Sequence, residues 1–379
     1  MNFEYSEEQI MIQQAARDLA QRELIKDVIE RDENATYPTE HVKQLADLGF
    51  LGMLVDEKYD GGGMDTVSYV LAMEEISKVD SSVSVIMSVN NSLVCYGIEA
   101  FGTEEQKEKW LKPLARGEKI GAFLLSEPEA GSDASSQKTT AEDKGDHFLL
   151  NGTKNWITNG NSASTYIMIA QTHPEKGHKG INAILVDRNS EGITIGPHEN
   201  KMGMRSSDTH SVMFNDVKVP KENRLGEDGF GFKFAMKTLE GGRIGIAAQA
   251  LGIASGAYER SLQYSKERKA FGKEIYKHQS VAFKLADMAV KIENARNLCL
   301  KAAWLKDQDK PYGFASAIAK QYAADMAMEV TTEAVQIHGG YGYVKEYHVE
   351  RLMREAKLTQ IYEGTSEVQK IVISREILK

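Results

Sequence analysis

The stretch IYEGTSEVQ, Ile361 to Gln369, places a lone carboxylate, Glu363, between an apolar-aromatic pair and a glycine. Ser366 and Gln369 fit an S-x-x-Q capping box and VQKIVISREI reads as helical, which puts Glu363 on the turn leading into a helix. Two readings stand open here: an exposed acid near a positive helix end, or a base at the edge of a site. Four other stretches are polar or glycine-rich where their neighbours are plain. FLLSEPEAGSD, Phe123 to Asp133, ends a strand-like run and enters a turn whose backbone N–H groups could cradle a heterocycle edge or a phosphate, or simply face solvent. KNWITNG, Lys154 to Gly160, carries Trp156, a residue type more often found in a core than as a ligand platform. RKAFGKEI, Arg268 to Ile275, is a basic loop with one aromatic, Phe271, between two helical patterns, and a solvated turn also accounts for it. QIHGGYGY, Gln336 to Tyr343, follows a long helical pattern; its glycines suit a helix C-cap or a backbone that approaches a pyrophosphate. His338 taken alone reads as a hydrogen-bonded structural histidine.

Several chemistries are excluded by pattern. There is no Walker P-loop and no strand–GxGxxG–helix unit, which argues against a nicotinamide site of the Rossmann type. No HExxH and no paired Cys/His set supports a metal, and the GxSxG elbow of serine hydrolases is absent. Cys95 and Cys299 are far apart in sequence and read as buried or half-buried thiols of a reducing compartment. The formal net charge of -9 argues against a nucleic-acid-coating or anionic-membrane surface, because counterion release needs clustered Lys and Arg. The opening MNFEYSEEQIMIQQAARDLA has acidic residues and neither the basic nor the apolar region of a signal peptide, and no run reaches the ~18 apolar residues of a membrane helix. A cytoplasmic protein is the expectation.

The elements that must position these residues fall into three blocks. Residues 1–117 read as helical: SEEQIMIQQAARDLAQRELI opens on a serine cap, with Ile10, Ala15, Leu19 and Ile25 roughly on one face. VSVIMSVNNSLVCYGIEAFG is almost wholly apolar and therefore a central helix. Residues 118–228 switch to short strand-like runs, KIGAFLLSE, HFLLNGTKNWITNG, STYIMIAQT, INAILVDR, ITIGPHE and HSVMFNDVKVP. NGTKNW and TNGNSAS read as turns, since Gly and Asn tolerate positive φ. Residues 229–379 are helical again, with long amphipathic patterns and Gly, Ala and Ser on adjacent turns that permit close helix approach. The class is α+β, an N-terminal helical domain, a central β domain of barrel or sandwich type and a C-terminal four-helix bundle, and the bundle predicts oligomerisation. At this level the residues define a helix–β–helix protein with a glycine-rich nucleotide or cofactor site.

FLLSEPEAGSD, WITNG, LEGGRIGIAAQALG, ERKAFGKEI, QIHGGYGY and IYEGTSEVQ, in this order across the whole chain, resemble the acyl-CoA dehydrogenase family, most closely its bacterial short-chain, butyryl-CoA type. The resemblance implies FAD held between the β domain and the helices of a homotetramer. Phe123, Leu124, Leu125, Ser126, Gly131 and Ser132 would line the flavin edge, and Trp156, Ile157 and Thr158 would cover its ring. Arg268, Phe271, Gln279, Gln336, Ile337, His338, Gly339 and Gly340 match positions that hold the pyrophosphate and adenosine, partly from a neighbouring subunit. Thr365, Ser366 and Glu367 match a last FAD contact at a helix N-terminus. Ser132, Glu240 and Arg243 match contacts to coenzyme A, with Tyr362 and Gly364 against the substrate.

In the family the YEG carboxylate is the base, here Glu363; it takes the α-proton of an acyl thioester while flavin N5 takes a hydride from the β-carbon, leaving a trans-2-enoyl-CoA. Its flanking residues fit a base desolvated on substrate binding, which would raise its pKa. Some members carry the base one position before the arginine of the R-I-G-I segment, which here is Gly242. The implied activity is dehydrogenation of a short-chain or short branched-chain acyl-CoA, with electrons passed to electron-transfer flavoprotein. The alternatives are a glutaryl-CoA or 2-methyl-branched acyl-CoA dehydrogenase and, from another class, a non-catalytic nucleic-acid-binding or scaffold relative. The central helix offers no Arg or Lys for a second carboxylate, which disfavours glutaryl-CoA.

Overall fold

The computed structural model describes residues 4–379 and runs helices, then strands, then helices, as the hydrophobic periods predict. α1 (Glu7–Arg22) starts on a reciprocal cap: the Gln9 amide donates to Ser6 Oγ and the Ser6 amide donates to Gln9 Oε1. Its buried face is Ile12, Ala16, Leu19 and Ala20; Ile10 is exposed and Ile25 lies in the 3-10 turn that follows. Of the expected face, Leu19 is buried and Ala15 and Ile25 pack against the core, while Ile10 alone is turned to solvent. The short α2 (Val28–Asn34) and α3 (Thr39–Asp47) lead to α4 (Thr66–Ser77) and α5 (Ser81–Ser88), capped by Asp65 and Asp80.

The apolar central run is not one plain helix. Val89–Cys95 forms a π-helical stretch before α6 (Tyr96–Phe101). Two buried asparagines anchor it: Asn90 Nδ2 donates to the Leu51 carbonyl at 2.8 Å, Asn90 Oδ1 accepts from the Gly121 amide at 2.9 Å, and Asn91 Nδ2 donates to the Phe50 carbonyl at 2.7 Å. These bonds fix the helix to the first strand of the β block. α7 (Glu104–Gln106), a second π-helical turn and α8 (Lys112–Ala115) complete the block.

The middle block is an eight-stranded sheet: β1 (Gly121–Leu124), β2 (Thr140–Asp143), β3 (His147–Thr158), β4 (Thr165–Gln171), β5 (Ile181–Asp187), β6 (Ile193–Ile195), β7 (Thr209–Pro220) and β8 (Arg224–Leu225). The order is β6-β7-β3-β2-β4-β5-β8, and β1 pairs with β4 in parallel, Gly121 opposite Thr165. β2 and β8 were not legible as strands, being short and polar. NGTKNW is not a turn: it lies within β3, and its tolerance of positive φ is used for irregularities in the pairing with β7, at Gly152 (φ 139°) and Trp156 (φ 60°). TNGNSAS is a turn, as expected, with Asn159 at φ 63°.

The third block holds α9 (Gly231–Glu267), α10 (Gln279–Asp307), α11 (Gly313–His338), α12 (Val349–Thr359) and α13 (Ser366–Ile377). RKAFGKEI is a tight hairpin of β9 (Lys269–Ala270) and β10 (Lys273–Glu274) rather than a plain loop, with Phe271 at its tip. α9 lies directly on α4: a Cβ at Gly252 or Gly256 would strike the backbone of Glu74 or Lys78. One hydrophobic core joins the N- and C-terminal helices, a second lies at their junction with the sheet, and a third fills the β block. Tyr362 packs against the edges of the first two.

Candidate active site

Glu363 sits on the short turn between α12 and α13, at the meeting point of two cores. The N-cap of α13 is Thr365, whose Oγ1 accepts from the Val368 amide, so the helix start lies one residue before the serine that the S-x-x-Q pattern selects. Ser366 instead donates to Asp325 Oδ1 at 3.0 Å, and Gln369 does not close a capping box. Its side-chain Nε2 donates to the Gly364 carbonyl at 2.9 Å and to the Glu363 carbonyl at 3.4 Å. Lys320, from α11 and without solvent exposure, donates to the same Gly364 carbonyl at 2.6 Å. These two donors hold a turn in which Glu363 has φ 51° and Gly364 φ 88°. For a non-glycine residue this conformation costs on the order of 1–3 kcal/mol and persists only where its surroundings impose it.

The carboxylate itself points inward. Glu363 Oε2 is out of contact with solvent and has no hydrogen-bond partner. It faces α9 at Gly242, where a Cβ would overlap Oε2. A side chain at Gly242 and this placement of Glu363 are therefore mutually exclusive. Burial raises the Glu363 pKa to about 7, against the opposing pull of Lys320 and then Arg243. Arg243 is itself buried, its Nε is unpaired, and burial lowers its pKa in spite of Glu240 and Glu363 nearby. Tyr362 donates to Gln249 Oε1, and Gln249 Nε2 donates to the Ser81 carbonyl and Ser84 Oγ, each at 2.9 Å. The phenol is thereby tied through α9 to α5. Glu240 is half-buried and lies against Gly313 at the start of α11.

The second cluster is built at the end of β1. The amide of Asn155 donates to the Ser126 carbonyl at 2.8 Å, joining the loop after β1 to β3. Beneath it, fully buried Lys154 pairs with Glu127 at 2.7 Å and donates to the Leu125 carbonyl at 3.1 Å. Glu127 in turn accepts from the amides of Lys138 and Thr139. Burial brings the Lys154 pKa down to about 8, although Glu127 opposes it. Phe123, Leu125, Ser126 and Thr158 are half-buried on this surface, and Gly131 and Ser132 are exposed. Leu124 and Ile157 are buried in the β core, opposite Met168 and His210 in the sheet. Trp156 is 62% exposed, so the core reading of this tryptophan is wrong; its positive φ turns the indole out of the sheet.

The third cluster lies at the far end of α9. A cavity of about 560 Å³ is lined by Tyr264, Arg268, Ile337, His338, Gly339 and Gly340, among others. Arg268 stands over the Tyr341 ring at 5.4 Å, and nothing lies within 4 Å of where a Cβ at Gly339 or Gly340 would be. Gln279 and Gln336 are exposed nearby in sequence, and Phe271 is 96% exposed. His338 is structural, as expected: its Nδ1 bonds the Ala334 carbonyl and its ring stacks on Tyr264. Arg243 lies within α9 and Arg268 is the residue that ends it, about 37 Å away at 1.5 Å per residue.

Lys154, Gln249 and Lys320 were given no role by sequence reasoning, and Gln369 was given a cap that it does not make. Lys320 left a signal, a lone cation in the apolar AIAKQYAA run, but its partner is a backbone carbonyl that no sequence pattern announces. A cation near the central helix was also missed: Lys306 of α10 stands over the Tyr96 ring at 5.3 Å, beside a cavity of about 240 Å³. Glu99 and Asp307 line the same cavity, so it presents no net positive charge to a second carboxylate. Among the described residues there is no cluster of His, Cys, Asp or Glu that could hold a metal. Nor does any of them form a helix long and apolar enough to cross a membrane.

Three family models match in succession: acyl-CoA dehydrogenase N-terminal domain over residues 6–118, middle domain over 122–217 and C-terminal domain over 229–378. The chain belongs to the acyl-CoA dehydrogenase family. It is 50% identical over 379 residues to the short-chain specific acyl-CoA dehydrogenase of Clostridium acetobutylicum, covering all of both chains. The structure of butyryl-CoA dehydrogenase from Megasphaera elsdenii matches with a TM-score of 0.99 at 50% identity, again over the whole of both chains. A structure described under the electron transferring flavoprotein of Acidaminococcus fermentans and flavin-based electron bifurcation matches with a TM-score of 0.99 at 51% identity over both full lengths.

Proposed function

We propose that this protein is an FAD-dependent short-chain acyl-CoA dehydrogenase in which Glu363 is the base. The observation that carries the reading is the unpaired, solvent-excluded Oε2 of Glu363, with a pKa raised to about 7. A base whose pKa lies near the working pH combines a useful ionised fraction with real driving force for proton transfer. The inward aim past Gly242 explains why this chain keeps its base on the YEG turn. The Glu363 carboxylate takes the α-proton, and its own N–H is the donor offered to the thioester carbonyl, where charge develops. Tyr362 and Gly364 wall the acyl group, and Ser132, Glu240 and Arg243 meet the coenzyme A portion.

The residues present suit FAD. An outward-turned indole at Trp156 beside a braced loop offers a flat face, and the glycine-lined cavity beside Arg268 suits a pyrophosphate. Phe123, Leu124, Leu125, Ser126, Gly131, Ser132, Trp156, Ile157 and Thr158 would hold the ring, with Thr365, Ser366 and Glu367 at the α13 N-terminus. Bound FAD supplies the two-electron acceptor for the β-hydride. The length of α9 between Arg243 and Arg268 supports a site shared between subunits, with Arg268, Phe271, Gln279 and Gln336–Gly340 lent to a neighbour. Exposed Phe283, Val290 and Trp304, spaced by multiples of seven along α10, support burial in a homotetramer. Electron-transfer flavoprotein is the acceptor proposed from the Acidaminococcus likeness, and the two buried free thiols suit a reducing cytoplasm.

The test is direct. The purified protein is yellow, and butyryl-CoA bleaches it without oxygen; Glu363→Gln keeps the colour and loses the bleaching. A colourless protein that FAD does not reconstitute, or wild-type bleaching in Glu363→Gln, refutes the reading. Initial rates from butyryl-CoA to dodecanoyl-CoA, with isobutyryl-CoA and glutaryl-CoA alongside, test the short-chain assignment.

A further inference from the structure

We propose that Lys320 is a positioning residue for the base: its buried ammonium fixes the Glu363–Gly364 turn and is the counter-charge of the Glu363 carboxylate. The inference rests on Glu363 being the base. Lys320 is fully enclosed on α11, and its Nζ donates at 2.6 Å to the carbonyl of Gly364, the residue directly after Glu363. Burying an ammonium costs several kcal/mol unless charge and hydrogen bonds compensate it, and an aliphatic side chain would fill the same space without that cost. Glu363, the residue before that carbonyl, is the largest favourable electrostatic influence on Lys320.

The other charged groups around it do not take over this part. Asp325, one turn further along α11, accepts from Gln321, Gln360 and Ser366. Arg243, from α9, is a like charge that opposes the lysine, and Glu367, from α13, is exposed. Lys320 is correspondingly the leading influence that holds the Glu363 pKa down against burial. Two roles follow from one contact. The hydrogen bond fixes a backbone conformation that a glutamate does not favour, and the charge keeps the carboxylate able to ionise in a dry pocket.

The experiment is the pH profile of anaerobic flavin reduction by butyryl-CoA, measured on holoenzyme of wild type, Lys320→Met and Lys320→Arg. In Lys320→Met the limb reporting ionisation of the base moves to higher pH by a unit or more. Its rate then falls by about tenfold or more below the limb and recovers towards wild type above it. Lys320→Arg keeps the limb near the wild-type position. A Lys320→Met rate lowered by one factor at every pH, with the limb unmoved, overturns the proposal, because loss of packing alone produces that pattern. Should Lys320→Met not accumulate as holoenzyme, Lys320→Gln, which keeps a hydrogen-bond donor but carries no charge, is read in its place and must show the limb displaced to higher pH. An unmoved limb in Lys320→Gln overturns the proposal equally. Activity retained in Glu363→Gln would instead refute the base assignment, and is read independently of the Lys320 series.

Discussion

Gly242→Ala separates catalysis from folding in a way the structure lets one work out. The added Cβ would overlap Glu363 Oε2 and lie 3.2 Å from the carboxyl carbon and 2.9 Å from Leu93 Cδ2. Both neighbours are the ends of flexible side chains, so the overlap is relieved by their rotation rather than by backbone movement. Alanine in a helix interior is favoured over glycine by about 0.5–1 kcal/mol, which offsets the repacking. The carboxyl group, however, has to retreat by on the order of 1 Å, and a misplacement of that size costs about 100-fold in rate. The assay is stopped-flow reduction of the bound flavin by butyryl-CoA, with thermal unfolding of the same sample. The expected result is a fall in reduction rate of about 100-fold, with flavin content and Tm close to wild type. A wild-type rate would refute the placement of Glu363 against α9, and a collapse of Tm would refute the claim that only side chains stand in the way.

Three further outcomes follow from other contacts. Because the folded pKa of Glu363 is raised from 4.5 to about 7, the folded protein binds more protons than the unfolded chain between those values. Stability tied to this group is present below the unfolded pKa and is lost as pH rises through the folded one, by at most about 3 kcal/mol; Glu363→Gln should flatten that slope in urea titrations across the window. Lys154→Met leaves Glu127 buried without its cation and should cost about 3–5 kcal/mol by urea unfolding, most of it recovered in a double variant with Glu127→Gln. Gly256→Ala sets a methyl group against the Lys78 backbone, with the Cα at 2.8 Å, and should destabilise by about 1–3 kcal/mol despite better helix propensity; an unchanged Tm would show that α4 and α9 can part.

The order of helical and strand blocks was legible because hydrophobic period changes sharply at their edges, as between ARGEKIGAFLL and the helix before it. Residue type and spacing left Glu363 open between an exposed turn acid and a base, and the base reading came from the resemblance of its YEG motif to the family's. What held it was not legible. Lys320 and Gln369 act on main-chain carbonyls, and a side chain that bonds to backbone leaves no partner residue in the sequence to pair with it. NGTKNW shows the opposite failure: its residues announce positive φ correctly, but positive φ serves an irregular strand as well as a turn. Asn90 and Asn91 were hidden in an apolar run, where they bond the Leu51 and Phe50 carbonyls from a π-helical stretch that periodicity reads as regular helix.

The unbroken span of α9 has a consequence for genetics. Arg243 and Arg268 lie at distant points of one rod, and under the proposed sharing of the site each chain supplies the chemistry of one centre and the anchor of another. Two inactive alleles, one altered at Glu363 and one at Arg268, would then rescue each other when co-expressed: every mixed pair contains one centre built from two unaltered halves. Two alleles both altered at Glu363 would not.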